Sequence, residues 1–370
     1  MTAMPLPQSI RASVFHAPGQ PLELQEFPTP TLAADEILVR IDCCTLCGSD
    51  LHTYLGRRHG PAPSVLGHEM VGRIAAFGPA HNQLDWRGAA LAIGDQVSWA
   101  VAASCGDCYF CHHELPQKCQ RLFKYGHECC AGAHPLSGGL AEFCHLATGS
   151  AILRVPEGIP DAVASSANCA TATAAAAFRA AGGCHDKSVL IQGAGLLGLT
   201  AAAMAHADGA SHVFVADVDP ARLATATRFG ATATINVQEG DTTALAAQIH
   251  RATDNRGVDV AFEMSGAPTA VPQGLTVLRP GGRYILVGAV RPVGDIPLEV
   301  EQVVRRMWRL EGVHNYAPRD LAAALDFLAA HPEFPFAEQV AGEFSLHEVD
   351  TAFARMIDAK AIRVAVRPYK

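Results

Sequence analysis

The sequence predicts an α/β protein of two domains, one β-rich and loop-rich, the other a doubly wound parallel sheet of six strands. Three observations carry this. The chain has 370 residues, enough for two cores at roughly 100–200 residues per domain. Its texture changes near residue 160, from short β-like runs broken by Gly, Pro, Cys and His to a regular alternation of strand-like and helix-like segments. A Gly-Ala-Gly-Leu-Leu-Gly loop then stands where one of those strands gives way to an apolar helix.

In the first part, strands are expected at 36–43, 71–76 and 96–100, and helical periodicity is scarce. Beyond Ala162 an alanine-rich stretch leads into strand 188–192, helix 196–208, strand 212–217, helix 220–229, strand 232–236, helix 243–253, strand 258–263, helix 268–278 and strand 283–288. Such β-α repetition builds a parallel sheet with helices on both faces, and a strand at 310–313 completes six. The remainder reads as one helix, 319–330, and a last strand, 362–367.

Composition narrows the function classes. With 49% hydrophobic and 17% charged residues the chain buries well, which excludes intrinsic disorder. Lys plus Arg number 28 against 36 for Asp plus Glu, a net charge of -8 without a basic block, and this argues against nucleic acid as a partner. The N-terminal stretch through Phe15 lacks the basic and apolar regions of a secretory signal, and no run of about 18 apolar residues offers a membrane span. A cytoplasmic protein is expected. Its 12 cysteines then read as thiolates rather than disulfides, because four of them cluster at metal-site spacing.

In the loop Gly193-Ala194-Gly195-Leu196-Leu197-Gly198 the first glycine permits a tight turn, the second lets backbone approach a pyrophosphate at the helix N-terminus, and the third lets helix pack on strand. Asp217 ends the next strand, where its carboxylate suits an adenosine ribose and repels a 2'-phosphate. NAD is therefore expected over NADP, with Arg222 in the following helix available to the ribose. Four sulfurs at Cys105-x2-Cys108-x2-Cys111-x7-Cys119 satisfy a tetrahedral zinc completely, so that site reads as structural. Neighbouring His112 and His113 read as surface residues. A dispersed set, Cys47, His68 and Cys169, offers thiolate, imidazole, thiolate and leaves a fourth metal position open. From residues alone, Cys169 reads equally well as a buried cysteine.

Together the Gly67-His68-Glu69 run, the four-cysteine spacing and the nucleotide loop resemble the zinc-dependent medium-chain alcohol dehydrogenases, from about Arg11 to Val366. The resemblance implies a GroES-like catalytic domain over 1–159 and 315–370 with a structural zinc lobe at about 104–120, and a Rossmann NAD-binding domain over 160–314. It implies an active site in the cleft between them and two zinc ions per chain. Cys47, His68 and Cys169 then look like the catalytic zinc ligands, Glu69 a neighbour or transient ligand, Ser49 the proton-relay hydroxyl and His52 its outer base. The polyol-dehydrogenase branch carries a carboxylate where Cys169 stands, so the cysteine points to the alcohol branch. Many members have a cationic residue after the first cysteine ligand to hold the pyrophosphate; here Gly48 stands there, and Arg363 is expected to take over that contact. The segments CGSDLHTYLGRR, LPQKC, KYGH, LSGGLAEFC and ANCATAT further resemble a bacterial subgroup named for phosphonate catabolism. Arg57, Arg58 and Lys124 read either as loop charges or as an anion pocket.

The expected activity is NAD-linked interconversion of a primary or secondary alcohol with its aldehyde or ketone, in a homodimer or homotetramer. Two alternatives remain: a zinc-free quinone or enoyl reductase, which has no use for Cys47, His68 and Cys169, and a non-catalytic zinc protein, which has no use for Ser49 and His52.

Overall fold

Strand Ile37–Leu46 organises the first half of the molecule. Its run of Ile, Leu, Val and Cys is buried on both faces, as expected of a strand covered from two sides. It pairs antiparallel with Glu69–Phe77, with Phe143–Leu146 and with the C-terminal strand Arg363–Val366. The computed structural model describes residues 6–237, 243–290, 292 and 294–370; the first five residues of the N-terminal stretch read above for a signal lie outside it.

The described chain divides into two compact units. One comprises residues 1–169, 317–332 and 336–370; the other comprises 170–316 and 333–335. The first contains a seven-stranded sheet centred on Ile37–Leu46 and a three-stranded sheet of Glu23–Pro28, Ser9–Phe15 and Ser64–Val65. Ile10, Val14, Ile41, Met70, Trp99 and Phe353 lie in its core at 1% exposure or less.

The second unit is a Rossmann fold. Its six strands are Ser188–Gln192, His212–Asp217, Ala233–Asn236, Val258–Glu263, Leu278–Leu286 and Arg309–Gly312. All neighbours run parallel, in spatial order third, second, first, fourth, fifth, sixth. The order reverses beside the first strand, so the loop that follows that strand opens at the switch point. Helix Leu196–Ala207 is buried almost all round, which explains its uniformly apolar sequence.

Several features of the first unit differ from the sequence expectation. Helix Asp161–Ser166, which composition had grouped with the second domain, packs on Ile37–Leu46 and Glu69–Phe77 and belongs to the first unit. The C-terminal segment holds a second helix, Val349–Asp358, as well as Pro318–Ala330. Val349, Ala352, Phe353 and Met356 face its core at helical spacing, a signal short enough to pass for loop. Strand Val340–Phe344 pairs parallel with Arg363–Val366 through a register shift that hides its alternation. Strands Ser9–Phe15 and Glu23–Pro28 pair along six residues, yet Glu23–Pro28 has no fully buried residue, and its two apolar residues against the core, Leu24 and Phe27, do not alternate with period two. No described helix is long and apolar enough to cross a membrane.

Candidate functional site

Three strand ends bring the dispersed donors of the first unit together. Thr45 lies opposite Glu69 and Leu46 opposite Val364, so Cys47, His68–Glu69 and Arg363 emerge side by side. Gly67 makes the turn into His68 at φ +87°, and a Cβ there would lie 2.6 Å from Cys44 Sγ, so no other residue fits. Cys169 arrives from the other side. It sits in a π turn, Ala167–Thr171, between helices Asp161–Ser166 and Ala172–Ala181. Single π turns mark places where a helix is re-aimed for function.

One donor atom each from Cys47, His68, Glu69 and Cys169 lies within 4.8 Å of the others. Cys169 Sγ is 3.3 Å from His68 Nε2. His68 Nδ1 is 3.0 Å from Asp50 Oδ1, which fixes the ring and leaves Nε2 as the donor facing the sulfurs. Asp50 also accepts from Cys47 N at 2.9 Å and Gly67 N at 3.3 Å, so one carboxylate ties two donors to the start of helix Gly48–Tyr54. Two thiolates, an imidazole with a carboxylate behind it, and a nearby glutamate fit zinc with one position open.

Charges in the cluster are strongly coupled. Cys47 is held well below the usual thiol range by a hydrogen bond from Cys169 and by the Arg363 and His68 charges, although burial opposes this. The Cys169 thiol is pushed up by the Cys47 thiolate and by burial. Burial disfavours the His68 imidazolium, but Asp50 and Cys47 outweigh it and raise its pKa to about 10. Burial lifts Glu69 to about 7 against the pull of Arg363.

Arg363 takes a different place from the one expected. Its Nε and Nη2 fork onto Glu69 at 2.8 and 2.7 Å, Nη2 reaches Cys47 Sγ at 3.4 Å, and Nη1 bonds Ile362 O. These contacts make Arg363 the counter-charge of Glu69 and Cys47, a role the sequence reading did not foresee when it assigned this residue to the cofactor pyrophosphate. Buried at 7% exposure, it answers a glutamate that would otherwise be an isolated interior charge. Thr45 donates to the same carboxylate at 2.7 Å. Thr45, Asp50 and this Arg363 pairing were missed in the sequence; only Asp50 left a signal, three residues after Cys47 at the mouth of a helix.

Ser49 Oγ lies 3.3 Å from His68 Nε2, beside the donor nitrogen. His52 follows one turn along the same helix, half-buried, and its carbonyl accepts the backbone N–H groups of Arg57 and Arg58.

The four cysteines of the lobe converge as well. The Sγ separations are 3.3 Å for Cys105–Cys119, 3.5 Å for Cys108–Cys111, 3.9 Å for Cys108–Cys119 and 4.0 Å for Cys105–Cys111. Sulfurs about 2.3 Å from a tetrahedral zinc sit about 3.8 Å apart, so this set also fits. Backbone N–H groups of Gln120 and Cys111 pull Cys108 down to about 6, a thiolate ready for metal. A third group, Glu36 with His134 and His145, is of another kind. Each imidazole Nε2 is 2.8 Å from a different oxygen of Glu36, closer than the about 3.3 Å between ligands of one tetrahedral metal. These are direct hydrogen bonds.

In the second unit the nucleotide loop has the form its glycines suggest. Gly193 turns at φ +101°, a Cβ on Gly198 would lie 1.7 Å from Gly193 O, and a Cβ on Gly195 would meet nothing within 4 Å. The open face at Gly195 caps helix Leu196–Ala207, which leaves a cradle for a pyrophosphate against Leu196 and Leu197 N–H groups. Asp217 accepts from Ala194 N at 2.6 Å and Asp219 N at 2.9 Å, which anchors the loop to the end of its strand. Arg222 stands 4.0 Å from Asp219 rather than at Asp217.

Comparisons with known proteins agree with this geometry. Residues 33–157 match the alcohol dehydrogenase GroES-like domain and residues 197–330 the zinc-binding dehydrogenase family. Sorbitol dehydrogenase of Bacillus subtilis is 29% identical over 98% of both chains. The 5-exo-hydroxycamphor dehydrogenase of Pseudomonas putida is 30% identical over 90% of this chain and 91% of its own. L-threonine 3-dehydrogenase of Coxiella burnetii is 33% identical over 81% and 82%. Among solved structures, an alcohol dehydrogenase from Thermotoga maritima superposes with a TM-score of 0.91 at 29% identity, covering 97% of this chain and 99% of that one.

Proposed function

The chain belongs to the zinc-dependent medium-chain dehydrogenase family, and from that premise we propose that it transfers a hydride between an alcohol and NAD, giving an aldehyde or ketone. The observation that carries the reading is the contrast in donor number: Cys47, His68 and Cys169 converge with a position to spare, while the lobe closes on four sulfurs. A zinc-free reductase of this fold has no use for the first set. Zinc bound there supplies a Lewis acid that eases loss of an alcohol's proton near neutral pH, and NAD supplies the hydride acceptor.

The chain's own residues then orient and carry protons. Asp50 keeps the His68 proton on Nδ1. Ser49, beside Nε2, takes the alcohol's hydroxyl proton and passes it toward His52, one turn further along the same helix. Arg363 and Thr45 hold Glu69 beside the donors. In the second unit Asp217 repels a 2'-phosphate, and Arg222 is engaged with Asp219, so NAD is the cofactor of choice. Strand Arg309–Gly312 stands at the edge of its sheet, paired on one side only among the described residues, and the segment before it exposes Val300, Val304 and Met307, each at 66% or more, which supports assembly into a homo-oligomer.

The test is NADH formation from primary, secondary and cyclic alcohols by protein of measured zinc content. Two zinc ions per chain, turnover with NAD well above NADP, and a narrowed gap in Asp217→Gly are expected. Absence of reduced cofactor with every alcohol, or undiminished turnover after removal of zinc, overturns the reading.

A further inference from the structure

The first unit contains a cavity of about 340 Å³ whose lining includes no member of the donor cluster or of the cysteine lobe. Three parts of the chain wall it, at Asp35, between His81 and Trp86, and between Thr148 and Ile152. Each wall is tied down by its backbone. Gly78 N bonds Glu36 O at 2.7 Å and Ala80 N bonds Ala34 O at 2.9 Å, which holds Asp35 beside the turn into His81. Asp85 N closes the next turn on Ala89 O at 2.7 Å, and Trp86 N reaches Ile152 O at 2.8 Å, so this turn is fastened to the opposite wall. There Gly149 turns at φ +84°, and a Cβ on it would lie 2.1 Å from Ser104 O. Small-molecule sites typically occupy about 300–1,000 Å³ and are largely formed before the ligand arrives.

The walls carry charge of one sign. Asp35 and Asp85 line the cavity, and no Lys or Arg does. The arginines that flank it in sequence are engaged elsewhere: Arg87 forks onto Asp326 at 2.9 and 2.7 Å, and Arg154 bonds Asp95 at 2.5 Å and Ala90 O at 2.6 Å. His81 accepts the Gln83 N–H at Nδ1, and burial holds its pKa below the ordinary value against the Asp35 charge, so the ring is neutral and supplies no cation. Asp85 is the informative residue. At 8% exposure it is a buried carboxylate without an ion pair. Both of its hydrogen bonds, from Arg87 N and Ala89 N at 2.8 Å, fall on Oδ1, which leaves Oδ2 without a partner among the described residues. Such a group is costly unless something brings a counter-charge. Asp35 is exposed and likewise makes no hydrogen bond or ion pair among the described residues. Trp86 adds the apolar half of the site, 48% exposed beside the exposed Leu84. Open indole and free carboxylates in one cavity form the combination that recognises cations.

We propose that this cavity binds a small organic cation, an amine or guanidine, with its charged head at Asp85 and Asp35 and its apolar body on Trp86 and Leu84. A bare metal ion has no use for Leu84, Trp86 and Ile152, and an anion would meet two like charges. An organic cation uses both halves. The carboxylates accept its N–H groups in charge-assisted hydrogen bonds, and the indole face attracts the charge. Binding here involves no bond change and does not rest on the hydride transfer proposed above, so the two readings fail separately.

Calorimetric titration of the zinc-loaded protein with benzylguanidinium tests the site, against benzylurea as its planar neutral counterpart and phenylacetate as an anion. A guanidinium keeps its proton and has no lone pair to offer zinc, so the open metal position does not compete for the probe. Benzylguanidinium should bind about 10-fold or more tightly than benzylurea, with phenylacetate weaker still. Asp85→Asn keeps an oxygen for the Arg87 and Ala89 N–H groups and should weaken benzylguanidinium about 10- to 100-fold. Trp86→Ala should weaken it about 2- to 30-fold, and Asp35→Asn, at an exposed position that leaves the fold untouched, about 2- to 5-fold. Benzylurea affinity should stay nearly constant in the two Asn variants. No binding of benzylguanidinium by the wild type, equal binding of benzylurea, tighter binding of phenylacetate, or affinity that ignores all three variants overturns the proposal.

Discussion

The two cysteine-bearing clusters of the first unit are built in opposite ways. The lobe takes all four sulfurs from Cys105 to Cys119, within one loop, and its own backbone supplies the supporting N–H groups, from Cys105 and Arg121 to Cys119 Sγ. Short spacing alone lets such a loop close on a metal. The open cluster draws on positions 47, 68 and 169, takes a cation, Arg363, from the C-terminal strand, and is held by Asp50, Thr45 and Ser165. The first is a local cluster that short chain spacing closes, and the second is a site that the surrounding fold maintains.

The sharpest way to break this contrast is to remove one sulfur from each. Cys169→Ala should lose about one of two zinc equivalents, keep its melting temperature, and lose turnover by about 10³-fold or more, since Lewis-acid assistance is worth several kcal/mol. Cys108→Ser should lose the other equivalent and lower the melting temperature, with kcat/KM in the surviving folded protein far less affected. Loss of both metals from either variant, by elemental analysis, would erase the distinction.

Ser49 sharpens it within the open cluster. Ser49→Ala should slow single-turnover hydride transfer by about 10²- to 10⁴-fold, whereas His52→Gln should lose less and shift the pH profile, because water replaces an outer base more readily than an inner relay. Near-normal transfer in Ser49→Ala, with zinc and NAD bound, removes the relay from the mechanism.

Arginine supports both clusters, at different depths. Arg363→Met should destabilise the fold by up to about 3–5 kcal/mol in denaturant unfolding, with Glu69 taking up a proton near neutral pH, because a carboxylate at 0% exposure loses the cation that keeps it ionised. Arg363→Lys should recover only part, lacking the planar fork. Arg121, paired with Asp107 at the exposed lobe, should leave the unfolding curve unchanged when replaced by Met. Equal effects would mean that burial does not separate the two sites.

The smallest effect concerns Glu36, His134 and His145, the donor group read as hydrogen-bonded. Burial holds His145 below its ordinary pKa, and Glu36, despite burial, is held below its own by the Ala33 N–H and the two imidazoles. Protons are therefore taken up on unfolding, and this part of the stability is lost as pH falls, first below about 6.5 and then below about 4.5. Glu36→Gln should flatten the acid limb of a stability-against-pH curve by on the order of 1 kcal/mol. Zinc binding by this group, seen as a third equivalent that disappears in His134→Ala, would contradict the assignment.

Much of this architecture was legible because its code is local. Strands 188–192, 212–217 and 258–263 match the structure to the residue, since each is a buried apolar run between turn signals. The glycine loop and the lobe were legible because turn, cradle and ligand spacing lie within six and fifteen residues of chain. Helix Val349–Asp358 was passed over although Val349, Ala352, Phe353 and Met356 carry its period, and strand Glu23–Pro28 had no pattern to read because its outer face meets solvent.

By itself, then, the sequence determined the repeating β-α half, the turn at Gly193 and the closed lobe, because backbone geometry and spacing within a few residues specify them. Tertiary structure alone decided that Asp161–Ser166 lies with the β-rich half, that Asp50 stands behind His68, and that Arg363 answers Glu69. Those partners are up to 294 residues apart, and no local pattern encodes a meeting that depends on strand register.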